Sequence, residues 1–97
     1  MSKTTKFDVA EYLDSPEMIA AYIEAAMEEG DPAFIARAIG DVARAIGMSQ
    51  IAAKAGLSRE ALYKGLTENG NPTLSTLSKV FETMGLRLSV QPIAAMA

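Results

Sequence analysis

The chain has 97 residues, of which 49% are apolar; its formal net charge is −3, and it has neither cysteine nor histidine. That length suits one domain with a small core that gains from pairing, and that apolar share excludes a disordered polymer. The missing residue types remove disulfides, thiolate nucleophiles, the commonest general base and the commonest transition-metal ligand, so neither an enzyme, a metal site nor a cofactor is expected.

Residues 1–6 are polar, and residues 7–13 read as a short segment that packs back as one helical turn. In "DSPEM" Ser15 is a cap and Pro16 a first helical residue. Ile19, Tyr22, Ile23 and Ala26 then fall on one stripe, with Glu17, Glu24 and Glu28 elsewhere on the helix, and Gly30 ends it. "GDPAF" repeats the signal with Asp31 and Pro32. Ile35, Ile39, Val42 and Ile46 predict a core-facing stripe up to Gly47, in which Gly40 marks a close helix contact or a bend.

Two short helices are predicted next, over residues 49–55 and from Ser58 to about Leu66, joined by Gly56-Leu57-Ser58. Glycine can turn left-handed at the end of the first, and serine can cap the second. Ala52 is small where the helices cross; Ile51, Ala55, Leu57 and Leu62 are expected in the core, with Ala61 and Leu66 also facing inward. "TENGNP" is turn chemistry, and Thr73 can cap a last helix whose inner face is expected to hold Leu74, Leu77, Phe81 and Met84, with Val80 beside them, as far as Gly85. Leu86, Leu88 and Val90 alternate with Arg87, Ser89 and Gln91, the period of a strand bounded by Pro92. One strand cannot satisfy its own backbone, so the same strand of a second copy is its expected partner.

The outward residues of the second short helix and its cap are Ser58, Arg59, Glu60, Tyr63 and Lys64. In helix-turn-helix geometry this edge meets the major groove of DNA. Arg59 can pair bidentately with guanine. Tyr63 can touch a thymine methyl or a phosphate, Lys64 and Ser58 suit phosphates, and Glu60 can accept from cytosine or orient its basic neighbours. Gln50 is a candidate phosphate contact. The plain alternative is a helical hairpin with a charged, solvated face.

Charge divides along the chain. Residues 1–31 hold two basic groups against eight acidic ones; residues 32–97 hold seven against four. That split suggests two partners of opposite character, or else a solvated acidic helix beside an ordinary domain. No apolar run is long enough to cross a bilayer and no signal-peptide pattern opens the chain, so a cytoplasmic location and no membrane contact are expected.

The stretch "IAAKAGLSREALYKGLTENGNPTLSTLSKVFETMGLRL" resembles the Cro/C1-type (XRE) helix-turn-helix family. From "FDVAEYLDSPEMIAAYIEAAMEEGDP" onward, over roughly residues 7–90, the chain is similar to the HigA-like addiction-module antidotes. It departs from common members in the short Gly47-Met48-Ser49-Gln50 link and at Gly65, where a larger apolar residue is usual.

The resemblance implies a mainly all-α, lambda-repressor-like bundle of about five helices, with a short C-terminal strand at a dimer interface. Residues 1–30 would form an acidic segment and helix packed on the domain, 31–91 the helix-turn-helix domain with the strand, and 92–97 a tail. It further implies an antitoxin that neutralises a RelE/ParE-like toxin and represses its own operon as a homodimer. Operator contacts would then be Gln50, Ser58, Arg59, Glu60, Tyr63, Lys64 and Asn69. A basic toxin surface would meet Glu17, Glu24, Glu28 and Glu29, with Phe7, Tyr12 and Tyr22 as apolar anchors unless they serve the core. A free-standing prophage-type repressor and a helical module that binds no DNA are the alternatives.

Overall fold

A computed structural model describes residues 15–67 and 69–93, so the expected turn over residues 7–13 lies outside the described residues. Among the described residues every regular element is a helix. Its elements are α1 (Pro16–Met27), α2 (Pro32–Ile46), α3 (Met48–Ala55), α4 (Arg59–Gly65) and α5 (Leu74–Thr83).

Four of the five helices begin at a side-chain cap. The Oγ of Ser15 accepts from the Met18 N–H at 3.2 Å and Asp31 Oδ1 from the Ala33 N–H at 3.1 Å. Ser58 Oγ accepts from Ala61 N–H at 3.0 Å and Thr73 Oγ1 from Thr76 N–H at 3.1 Å. Each satisfies a donor that the first helical turn leaves open. α3 begins instead at Gly47, which ends α2 and takes φ 130°, and it has no side-chain cap bond.

One core joins all five helices. Ile19 and Ile23 of α1 meet Ile39 and Val42 of α2, Ile51 and Ala52 of α3, Leu62 of α4 and Val80 and Phe81 of α5. Leu66 and Met84 complete it just past α4 and α5. Tyr22 packs at its edge, half-buried. Gly40 is a close-contact site: a Cβ there would collide with the Leu66 carbonyl oxygen. The glycine thus lets the chain leaving α4 lie directly on α2.

Two expectations need correction, at Leu74 and at Ala61. Leu74, the first residue of α5, is 70% exposed; Leu77 packs half-buried against the core, and the buried residues of the helix are Val80 and Phe81. Ala61 is exposed, because the seam of α4 runs through Leu62 and Leu66 and nothing covers the adjacent position. Residues 86–91 have no regular structure in the single chain; the ladder expected there needs the same strand of a second copy, which one chain does not supply.

Candidate functional site

The turn between α3 and α4 is built by backbone bonds that only a left-handed residue permits. Gly56 has φ 72° and ψ 31°. Its N–H donates to the Ala53 carbonyl at 3.2 Å, and the Leu57 N–H donates to the Ala52 carbonyl at 2.9 Å. This is a Schellman closure, with Leu57 folding half-buried against the core. The same pair of bonds recurs at Gly85, where the Leu86 N–H reaches the Phe81 carbonyl at 2.8 Å.

The back of the α3–α4 hairpin is sealed and its front is open. Ile51, Ala52, Ala55, Leu62 and Leu66 are buried, Leu62 completely. Ser58, Arg59, Glu60, Tyr63 and Lys64 are all exposed, and so are Gln50 at the start of α3 and Asn69 beyond α4. Tyr63, at 52% exposure, holds its ring at the surface of a firmly anchored helix. The geometry therefore brings the five residues of α4 and its cap onto one polar edge whose backbone is held from behind.

Arg44, on α2, joins this edge, and the sequence reading did not single it out. Its Nη2 lies 2.7 Å from Asp41 Oδ1, and its guanidinium carbon stands 5.9 Å from the centre of the Tyr63 ring. The ion pair is about one-third exposed and contributes little to stability, but together with the cation–π contact it holds a cation beside Tyr63. Asp41 and Arg44 at three-residue spacing on an exposed face were the available signal. The contact itself depends on how α2 crosses α4.

A second surface lies on α1 and the turn that follows it. Glu17, Glu24, Glu28 and Glu29 are all exposed. A cleft of about 820 Å³ runs between α1 and the segment after α5, with Ile23, Met27, Leu88 and Val90 among its apolar lining and Glu24 and Glu28 among its acidic lining. Gln91 Nε2 donates to Glu24 Oε2 across it at 2.9 Å. Phe7 and Tyr12, the other expected anchors of an acidic face, lie outside the described residues. The phenol of Tyr22 is pushed above its ordinary pKa by burial first and by Asp41 second, against the opposing pull of Arg37.

Among the described residues no three His, Cys, Asp or Glu side chains come together as a metal site would need. No described helix is long and apolar enough to cross a membrane.

Comparison with known proteins bears on what these surfaces serve. A family model described as a probable addiction module antidote protein matches residues 3–92. A protein of Haemophilus influenzae, itself described as uncharacterized, is 49% identical over 85 residues, which is 88% of each chain. No solved structure matches the chain.

Proposed function

The chain belongs to the probable addiction module antidote family, and from that premise we propose that it is a HigA-like antitoxin of the Cro/C1 type. It neutralises a small RelE/ParE-like toxin by direct binding and represses its own operon as a homodimer on operator DNA, in the cytoplasm. A family of antidotes is one of regulatory binders rather than of catalysts.

The observation that carries the DNA half of this reading is the exposed edge of Ser58, Arg59, Glu60, Tyr63 and Lys64 in front of a completely buried Leu62. A helix held rigidly from behind can offer a guanidinium to a base edge without losing orientation. Ser58, the N-terminal amides of α4 and Lys64 suit phosphates, while Arg44 broadens the cationic rim. Gln50 and Asn69 flank the edge as backbone contacts. Residues 31–91 are the DNA-binding unit in this reading, and residues 1–30 carry the acidic surface for the toxin. A ribonuclease that grips RNA phosphates presents a basic face, and Glu17, Glu24 and Glu28 complement it.

A gel-shift titration with the promoter upstream of the gene tests the DNA role. Arg59→Ala should weaken binding by about 1–3 kcal/mol, and wild-type affinity should fall linearly on a log–log plot against salt. Equal binding by wild type and variant, with no response to salt, ends the DNA role. Co-expression with the adjacent reading frame tests the toxin role: the two products should copurify and growth should recover.

A further inference from the structure

After Gly85 the chain is tied to the core once more, through the Leu86 N–H on the Phe81 carbonyl. Beyond that, among the described residues, no backbone N–H or carbonyl of residues 87–91 enters a backbone hydrogen bond. The same residues alternate polar with apolar, and Pro92 then supplies no donor. Leu88, Val90 and Ile93 are 36%, 95% and 69% exposed. Unpaired backbone beside exposed apolar side chains is an edge that takes up another strand.

We propose that residues 87–91 pair antiparallel with the same residues of a second copy, about a two-fold axis at Ser89, and that Arg87 of each copy closes on Glu24 of the other. This rests on the homodimer of the reading above, with the C-terminal strand at its interface, and adds the register and the intersubunit charge pair. Centring on Ser89 sets Leu88 against Val90 and Arg87 against Gln91, apolar with apolar and polar with polar. Centring on Leu88 would call on Leu86, whose N–H is already donated to Phe81. An axis between Leu88 and Ser89 would set Arg87 against Val90.

Charge favours the Ser89 register as well. Gln91 is hydrogen-bonded to Glu24 at 2.9 Å, so whatever stands opposite Gln91 stands beside that carboxylate. Arg87 is exposed and has no ion pair among the described residues. The two-fold operation brings it to the one carboxylate that the segment already holds. Because the interface is self-complementary, the match occurs twice.

Sedimentation equilibrium on the full chain, without DNA or toxin, tests the pairing. Wild type should be dimeric. Arg87→Glu and Glu24→Arg should each weaken the dimer at least about tenfold, while the double variant Arg87→Glu/Glu24→Arg restores most of it. Both positions are exposed, so the variants keep their fold, checked by circular dichroism. Register is read by cross-linking, because the chain has no cysteine of its own. Under oxidised glutathione Ser89→Cys should form a disulfide-linked dimer, whereas Arg87→Cys, which faces Gln91 rather than itself, should not. A monomeric wild type, a double variant no better than the singles, or equal cross-linking at both positions overturns the proposal. A monomer that still captures its toxin would overturn the pairing and leave the antitoxin reading standing. A dimer of the expected register that binds neither promoter nor toxin would do the reverse.

Discussion

The front of the α3–α4 hairpin and the cleft beside α1 are built from opposite materials. The hairpin front is polar side chains on a short helix whose back is sealed into the core. The cleft combines carboxylates with apolar groups left partly in water, Met27, Leu88 and Val90 among them. Cations and hydroxyls on a rigid rod suit a charged duplex that is read at fixed spacing. Exposed apolar groups rimmed by one sign of charge suit another protein. The difference teaches that an acidic chain can keep groups suited to partners of opposite character on separate elements of one core.

The largest effect should come from breaking the shared support. Leu62→Ala removes a wholly buried side chain from the core that all five helices share. It should cost about 3 kcal/mol of stability in urea unfolding and blur both surfaces together. Next, Glu17→Lys/Glu28→Lys reverses charge on α1 and its C-cap alone. It should slow toxin capture about tenfold in surface plasmon resonance while promoter binding is no weaker. Ser58→Ala deletes the cap of α4 and should cost about 1 kcal/mol in thermal unfolding, with promoter affinity falling and toxin affinity unchanged.

The smallest effect is at Tyr22. Its folded pKa lies above the ordinary 10.0, so above that pH the folded chain holds a proton that the unfolded chain has lost. The stability linked to this group is therefore intact below pH 10.0 and declines as pH rises through that value. Tyr22→Phe should flatten that decline, read as a smaller difference in urea midpoint between neutral and strongly alkaline buffer.

Much of this was legible in the sequence, and the exceptions have physical causes. Caps are local chemistry, so Ser15, Asp31, Ser58 and Thr73 could be read directly, and each accepts the expected bond. The turn at Gly56 was equally local. Gly40 was narrowed to a contact or a bend, but only the fold reveals the Leu66 carbonyl lying on it. Leu74 and Ala61 misled because periodicity places a residue on a face without saying where the covering element ends. Arg44 was missed because its meeting with Tyr63 joins two helices whose crossing no spacing rule supplies. The alternation over residues 86–91 is real, while the ladder it would need lies outside a single chain's described residues.

The central claim is that the two surfaces act separately. Its most direct test is to measure Arg59→Ala against both partners at one salt concentration, the promoter by gel shift and the toxin by copurification. The account predicts promoter binding reduced at least about tenfold and toxin capture equal to wild type. Loss of both, or of neither, would contradict it.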